Sequence, residues 1–312
     1  MASNNSGYAR AGAAGLAALI LFLGTSAAAS GAPPPAGQSS PSPPADETRA
    51  AGTAYRLTLK EAGREFLSDA GRIWSSPARI RGRDVVPLIG LAAATAFLIA
   101  SDESIRDGVR TFTEKHAWVG DAAPVVTQMG GLAGFATAGA FFGAGVIFRD
   151  PRAKDAGYLA ASAILQCFFV DNLVKGLAGR QRPFVADGED HWAGPAAFLK
   201  RFEKDSHDLY VSFPSGHSAA AFSLATVVAL QYRRHGWVPV VAYSLAAGVG
   251  LSRMALDRHW ASDVAIGAVV GHLVARLVVR NHERRRRIVP ALACTARGVA
   301  LSLSFDLDPA VR

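Results

Sequence analysis

Cationic residues, histidines and one carboxylate recur in three short clusters between positions 175 and 263. In chain order, the clusters are Lys175 with Arg182 and Pro183, then Pro214, Ser215, Gly216 and His217, then Ser252 and Arg253 with His259 and Asp263. A phosphoryl group in transfer spreads negative charge over its equatorial oxygens, so the protein must supply fixed positive charge there. The three cations can do so, and each arginine adds a fork that matches two phosphate oxygens. The clusters therefore predict phosphoryl-transfer chemistry.

The two histidines suit the two chemical roles of such a reaction, which are attack on phosphorus and proton transfer. His259 and Asp263 are four residues apart at the expected start of a helix, so their side chains meet on one face. The carboxylate can keep one ring nitrogen protonated and aim the other at phosphorus, which predicts His259 as the nucleophile. His217, on a neighbouring helix, can protonate the leaving group and later activate water.

The Pro214, Ser215 and Gly216 run is typical of a helix start. The backbone N–H groups of Ser215 and Gly216 are expected to be unpaired at the positive end of the helix dipole, where they would bind an oxygen of the anion. The cluster contains one carboxylate, and cations stand where a metal would neutralise phosphate, so we expect no metal and no other cofactor.

These clusters depend on apolar segments to bring them together. Six such segments are present, and most approach the length of a membrane-spanning helix: Val85 to Ala100, Ala122 to Phe148, Ala156 to Val174, Tyr210 to Leu230, Trp237 to Leu251 and Ala261 to Val279. Because helix direction alternates, the exits of the third and fifth segments and the entries of the fourth and sixth should lie on one side. All three clusters occupy those positions.

The connectors on the opposite side carry basic residues, namely Arg149, Arg152, Lys154, Arg233, Arg234, Arg280 and Arg284 to Arg287. The positive-inside rule makes that side cytoplasmic, so the clusters should face the periplasm or exterior. The net charge of +8 then reflects membrane topology and an anionic substrate. Aromatic residues are not interleaved with the basic ones, which argues against a nucleic-acid partner.

The amino terminus raises a conflict of topology. Arg10, the apolar run from Ala13 to Leu23 and the small residues Ala27 to Ala29 indicate an export signal, with an uncleaved anchor as the alternative. A cleaved signal places the mature start outside, whereas six crossings that end inside require a start inside. Five crossings resolve this if Val85 to Ala100, which is short, packs without spanning. A soluble periplasmic bundle is the other solution.

Several further residues invite interpretation. Arg180 could assist substrate binding, although its loop position favours a solvated arginine. His272 lies thirteen residues past His259 and should point to a different face, which favours packing within the bundle. In the loop before Leu209, His191, His207 and Trp192 could shape the substrate entry, but nothing in the sequence requires it.

The clusters resemble the signature of the type 2 phosphatidic acid phosphatase (PAP2) and haloperoxidase superfamily: Lys-x6-Arg-Pro, Pro-Ser-Gly-His and Ser-Arg-x5-His-x3-Asp. Every position of the signature is matched, and the resemblance extends from about Val85 to Val279. It implies that Lys175, Arg182, Ser215, Gly216 and Arg253 bind phosphate. It also implies that His217 is the acid and His259 the nucleophile oriented by Asp263.

The resemblance further implies an all-α bundle of about six apolar helices, to which the alternation in Gly298 to Phe305 adds a short β-like tail. We expect a phosphatase in the cytoplasmic membrane that acts on a phosphorylated lipid, of the phosphatidate or isoprenoid diphosphate class, through a phosphohistidine. A vanadate-dependent haloperoxidase and a soluble periplasmic acid phosphatase are the alternatives. The expected division is a signal at 1–30, a Pro/Ser-rich linker at 31–52, an amphipathic lead-in at 53–84, the phosphatase domain at 85–280 and a basic segment and tail at 281–312.

Overall fold

The structure, a computed structural model, describes residues 58–185, 192–196, 209–295 and 298–305. The elements in these ranges are α1 (Leu59–Trp74), a 3-10 helix (Pro77–Arg79), α2 (Gly82–Lys115), α3 (Ala117–Gln128), α4 (Leu132–Ile147), α5 (Pro151–Ala178), α6 (Gly216–Gln231), α7 (Trp237–Ala255), α8 (Ala261–Arg287), β1 (Ile288–Thr295) and β2 (Gly298–Phe305). The predicted signal and linker, as well as His191 and His207, lie outside the described residues.

The helices α4 to α8 form the bundle that the sequence predicts. Short connections join α4 to α5, α6 to α7 and α7 to α8, and consecutive helices pack side by side in opposite directions. The carboxyl ends of α5 and α7 and the amino ends of α6 and α8 therefore share one end of the bundle, here called the site end. The other end, with the basic connectors, is the basic end. The strands β1 and β2 pair antiparallel after α8, at the position where the sequence predicts a short β-like tail.

Among the described residues, four helices are long and apolar enough to cross a membrane: α2, α5, α7 and α8. The pair α3 and α4, bent by 52°, makes a fifth if it counts as one span. The remaining bundle helix, α6, has only 16 residues and lies in the centre, where most of its side chains are buried. These helices make the chain a membrane protein.

Helix α2 differs most from the prediction. The expected short segment is part of a 34-residue helix, about 50 Å long at 1.5 Å per residue, whose most apolar 18-residue window is not buried at all. Side chains such as Val86 and Phe97, 76% and 70% exposed, are left largely uncovered by the described residues. The length and exposure of this helix favour a span over the interpretation in which the segment packs without spanning, and a soluble bundle would leave the window in water.

Glycines on α8 bring it close to α6. A Cβ on Gly267 would run into the backbone carbonyl of Ser215, and one on Gly271 would run into that of Ala219. The absence of a side chain at both positions lets the two helices touch along their backbones. This contact seats the amino end of α6 directly beside the first turn of α8.

The lead-in helix α1 attaches to the basic end. Asp69 accepts a hydrogen bond from Asn281 at 2.9 Å and pairs with Arg285 at 2.6 Å, and Glu65 lies 3.0 Å from the His282 ring. The acidic residues of α1 thus face the bundle. Because α1 lies at the basic end and α2 begins there, the described chain starts and ends on the same side of the bundle.

Candidate active site

The structure brings the three cations of the sequence prediction to the site end. Lys175 stands in the last turn of α5, Arg253 in the last turn of α7, and Arg182 in the loop after α5. The Nζ atom of Lys175 lies 3.1 Å from the position that a Cβ on Gly216 would take. Arg182 and Arg253 are each 8% exposed, so both guanidinium groups are almost removed from water. Buried positive charge at this density suits an anionic ligand.

His259 and Asp263 meet at the start of α8, as their spacing predicts. The Nδ1 atom of His259 lies 3.5 Å from Oδ2 of Asp263, and both side chains are buried. That distance is too long for a good N–H···O hydrogen bond, and Nδ1 has no hydrogen-bond partner among the described residues. The pair is in position to tighten when a substrate binds, as catalytic hydrogen bonds commonly do.

Asp263 is held more firmly than the sequence suggests. Its Oδ1 accepts from Arg180 Nη1 at 2.8 Å, and its Oδ2 accepts from the Ser212 hydroxyl at 2.5 Å and the Trp260 N–H at 2.9 Å. These bonds fix the plane of the carboxylate and leave Oδ2 facing His259. The interpretation of Arg180 as a solvated loop residue is therefore wrong, because its side chain is fully buried.

Arg180 connects Asp263 to a second buried carboxylate. Its Nη2 donates to Asp102 Oδ2 at 2.7 Å, and Asp102 also accepts from the Ser262 N–H at 2.9 Å. The indole rings of Trp192 and Trp260 lie 4.7 and 5.2 Å from the guanidinium carbon. Sequence reasoning missed Asp102; the signal available was the first acidic residue after a long apolar run in α2, where Asp102 and Glu103 stand side by side.

The helix start at Ser215 differs in detail from the prediction. The N–H of Ser215 donates to the Asp263 carbonyl at 3.0 Å, so the expectation that it is unpaired is wrong. Its hydroxyl accepts from Ser218 N–H at 3.4 Å and caps the helix. In the part of the chain that is described, the N–H groups of Gly216 and His217 have no acceptor. The N–H groups that are open to an acceptor therefore lie one residue further along than predicted.

His217 projects toward the turn between α3 and α4. A Cβ on Gly131 would lie 3.4 Å from His217 Nε2, and one on Gly130 would lie only 2.7 Å from the His217 carbonyl oxygen. Gly130 is required for this close approach, whereas a Cβ on Gly131 would make an ordinary contact with the ring. The sequence reasoning singled out neither glycine. Thr127, one turn earlier, accepts from Arg253 Nη1 at 3.0 Å. The α3–α4 pair thus forms one wall of the site.

The pKa of His259 agrees with the presence of the three cations at the site end. Burial lowers the pKa of His259 well below its ordinary value, and the charges of Arg182, Arg253 and Lys175, together with His217, lower it further. Those groups must lie close to the ring to act on it. A depressed pKa keeps the imidazole neutral at pH 7, which is the form that can act as a nucleophile.

Two loops at the site end are joined by hydrogen bonds. The N–H of Phe184 donates to the Asp257 carbonyl at 3.1 Å, and Trp260 Nε1 donates to the Gln181 carbonyl at 2.9 Å. Arg182 Nη1 reaches the Arg258 carbonyl at 3.2 Å. The loop that carries the second cation is therefore fastened to the turn that carries His259.

The other residues considered from sequence lie outside this cluster or support it. His272 Nδ1 lies 3.0 Å from the Tyr243 hydroxyl and 3.1 Å from the Thr226 hydroxyl, which confirms packing within the bundle. Trp192 bridges to Arg180 in the backbone and stacks on its guanidinium. Trp192 therefore covers a positioning residue from the loop side.

Comparison with known proteins gives a consistent result. Residues 155–287 match the sequence profile of the PAP2 superfamily, a range that contains all three clusters. The chain is 30% identical over 227 residues to a lipid A 1-phosphatase of Porphyromonas gingivalis, an alignment that covers 70% of this chain and 42% of the relative. It is 33% identical over 136 residues to a probable diacylglycerol pyrophosphate phosphatase of Schizosaccharomyces pombe, covering 37% of this chain and 49% of that one. The chain thus spans less than half the length of these two relatives.

Two solved structures are also similar. One is a crystal structure of Aquifex aeolicus LpxE, with 19% identity and a TM-score of 0.43, covering 57% of this chain and 94% of that one. The other is a PAP2 type phosphatidylglycerolphosphate phosphatase from Bacillus subtilis, with 20% identity and a TM-score of 0.44, covering 63% and 96%.

Proposed function

Because this chain belongs to the PAP2 superfamily, we propose that it is a phosphatase that releases phosphate from a lipid-anchored phosphomonoester or diphosphate. The observation that carries the proposal is that Lys175, Arg182 and Arg253 lie at the same end of an apolar bundle as His259, with Arg182 Nη1 3.2 Å from the carbonyl of the neighbouring Arg258. Such a cluster, buried and strongly positive, suits the charge of a phosphoryl group in transfer.

The proposed first step is attack by His259 on phosphorus. The ring is neutral, and Asp263 faces Nδ1, so a proton on Nδ1 leaves the lone pair of Nε2 for the attack. A P–N bond forms as the bond from phosphorus to the lipid oxygen breaks. Positive charge then develops on the imidazole, and Asp263, fixed by Arg180, stabilises it.

His217 is proposed as the group that protonates the departing lipid oxygen. Burial and the charges of Arg253, Lys175 and Arg182 lower its pKa to about 3, so the ring takes up this proton when the negative charge of a bound phosphate offsets those cations. It stands at the amino end of α6, beside the N–H groups that would hold a phosphate oxygen. In the second step the same ring, now neutral, takes a proton from water as the water oxygen attacks phosphorus. The P–N bond breaks, inorganic phosphate leaves, and both histidines return to their starting states.

The exposed apolar surface supports a lipid substrate. Helix α2 leaves its apolar window uncovered along the bundle and then continues beyond it to the site end, where Arg106 and Arg110 pair with Asp257. A substrate anchored in the membrane could therefore present its headgroup to the site without leaving the bilayer. The relatives named as lipid A and diacylglycerol pyrophosphate phosphatases fit this class of substrate.

We also propose that the site faces the periplasm or exterior and the basic end faces the cytoplasm. The support is the charge of the connectors at the basic end, Arg149, Arg152, Arg233 and Arg234, which the positive-inside rule places in the cytoplasm. Labelling of single cysteines introduced at 233 and at 110 in intact cells tests this. A membrane-impermeant reagent should reach position 110 and leave 233 unlabelled until the membrane is opened.

Phosphate release from purified protein tests the activity. The substrates are phosphatidate, phosphatidylglycerol phosphate, undecaprenyl diphosphate and lipid A phosphates at matched detergent, each with EDTA present. We expect release from at least one substrate and loss of release in His259→Ala, with His272→Ala as a matched control that keeps activity. Release that stops with EDTA, or that survives in His259→Ala, contradicts the proposal.

A further inference from the structure

A groove at the basic end, far from the proposed active site, is lined by arginines. It lies between α1 and α8, and its cavity volume of about 460 Å³ exceeds that of a few waters. Five arginines line it: Arg72, Arg79, Arg276, Arg280 and Arg284. All five are exposed.

These arginines lack the acidic partners that their neighbours have. Arg285 pairs with Asp69, and Arg286 pairs with Asp155. In contrast, no carboxylate among the described residues lies within ion-pair distance of Arg276, Arg280 or Arg284. On the α1 side, Arg72 donates to the neutral amide of Asn281 at 2.9 Å, and Arg79 donates to the Ser75 hydroxyl. The charge of the groove is therefore not neutralised by the described protein.

The spacing along α8 makes this charge continuous. Arg276, Arg280 and Arg284 follow one another at intervals of four, so they lie on one face of the helix. The residues that turn inward from this end, Arg285 and Asn281, are the ones bound by α1. Arg285 of α8 thus fixes α1, Arg276, Arg280 and Arg284 line the groove, and Asn281 lies between the two sets and contacts both.

The floor of the groove is apolar. Ile73 of α1 and Leu273, Val274 and Leu277 of α8 belong to the lining, and Leu273 is 55% exposed. The neutral polar residues Ser76 and Asn281 complete it. Leu273 lies one turn closer to the bundle centre than Leu277, so the apolar surface continues from the groove into the membrane-facing side of α8. An acyl chain could follow it while its headgroup stays among the arginines.

The depth of the groove fits the membrane boundary. Helix α8 is about 40 Å long at 1.5 Å per residue, against a hydrocarbon thickness of about 30 Å. If its first turn lies at one boundary, the opposite boundary falls near Arg280. Basic side chains at this depth are placed to meet lipid phosphates.

From these observations we propose that the groove between α1 and α8 is a binding site for an anionic phospholipid, separate from the active site. The arginines bind the phosphodiester, and Ile73, Leu273 and Leu277 contact the first part of an acyl chain. The bound lipid bridges α1 to α8 at the end where α1 is otherwise held by Asp69 and Glu65. The proposal does not depend on the catalytic activity.

Native mass spectrometry of the full chain tests it, with phosphatidylglycerol or zwitterionic phosphatidylcholine added to the detergent micelles. Three triple variants are compared with the unaltered chain. The groove variant combines Arg276→Gln, Arg280→Gln and Arg284→Gln. The charge-matched control, at the same end of the bundle, combines Arg152→Gln, Arg233→Gln and Arg234→Gln. The active-site variant combines Lys175→Gln, Arg182→Gln and Arg253→Gln.

We expect the unaltered chain to retain phosphatidylglycerol in preference to phosphatidylcholine, and the groove variant to bind it at least about tenfold more weakly. The charge-matched control should stay within about twofold, and the active-site variant should keep the groove-bound lipid. Millimolar inorganic phosphate should not displace that lipid, because it lacks the acyl chain.

Equal retention of phosphatidylglycerol by the groove variant and its charge-matched control would overturn the proposal. So would retention of neither lipid by the unaltered chain, or full displacement by inorganic phosphate. If the triple groove variant unfolds, the single variants Arg276→Gln and Arg280→Gln provide the same comparison, since both side chains are exposed. Each should weaken binding, whereas Arg233→Gln should not.

Discussion

Replacement of Arg180 by methionine tests the buried network behind Asp263. The Arg180 side chain and both carboxylates that it pairs with, Asp102 and Asp263, are fully buried. Removal of the guanidinium leaves two buried carboxylates without a cation, and the loss of one partner from a buried pair costs about 3–5 kcal/mol. In a domain of this size, each kcal/mol lowers the melting temperature by about 2–4 °C. We therefore expect Arg180→Met to melt about 10 °C lower in detergent.

Arg110→Met is the matched control. Arg110 also pairs with an acidic residue at the site end, Asp257, but its side chain is 47% exposed. Exposed pairs contribute about 0–1 kcal/mol, so the melting temperature should change by no more than about 4 °C. Addition of Asp102→Asn to Arg180→Met removes one of the two stranded charges, and we expect part of the lost stability to return.

The assay is thermal unfolding followed by tryptophan fluorescence, with phosphate release measured on the same samples. Turnover by Arg180→Met at a temperature where it is folded should fall at least about tenfold, because Asp263 loses the bond that orients it. An Arg180→Met protein that melts and turns over like Arg110→Met would refute the reasoning. The same holds if Asp102→Asn further destabilises Arg180→Met.

Three further predictions follow from the site. Asp263→Asn should lower turnover, measured as phosphate release, by about 10²–10⁴-fold. The fold should stay intact in thermal unfolding, because Arg180 keeps its pair with Asp102. Gly130→Ala should lower the free energy of unfolding by about 1–3 kcal/mol and slow turnover, because the new Cβ meets the His217 carbonyl. Gly120→Ala, where a Cβ has open space around it, should leave the stability unchanged or raise it. Because the pKa of His259 is lowered, its neutral, nucleophilic form should persist below pH 6.5. The fall of kcat/KM toward acid pH should therefore follow the ionisation of the substrate phosphate alone. A second ionisation near 6.5 in the pH profile of kcat/KM contradicts this.

The sequence predicted the bundle and the meeting of its clusters because both depend on local rules. Alternating helix direction places the exit of α5 beside the entry of α6, and spacing of four places His259 beside Asp263. Neither result requires knowledge of how a loop folds. The apolar pattern likewise predicted the helices, although it underestimated α2 because the polar last third of that helix projects past the apolar run.

What the sequence could not supply are contacts that depend on loop paths and on helix rotation. Arg180 lies in a loop, and only the folded path shows that it turns inward to Asp102. The amphipathic pattern of α1 predicts apolar residues toward the bundle, yet Glu65 and Asp69 face inward, while Leu67 is 70% exposed. Polar partners on α8, such as Arg285, make that rotation favourable, and no pattern within α1 itself reveals them.

The central claim is that His259 forms a bond to phosphorus. The most direct measurement uses substrate labelled with ³²P, rapid quenching in alkali, where phosphohistidine is stable, and mapping of the labelled peptide. Quenching is best applied to His217→Ala, in which water attack should be slowed more than formation of the intermediate. We predict label on the peptide that contains His259 and none in His259→Ala. Label on another residue, or phosphate release with no labelled protein in any variant, would contradict the mechanism.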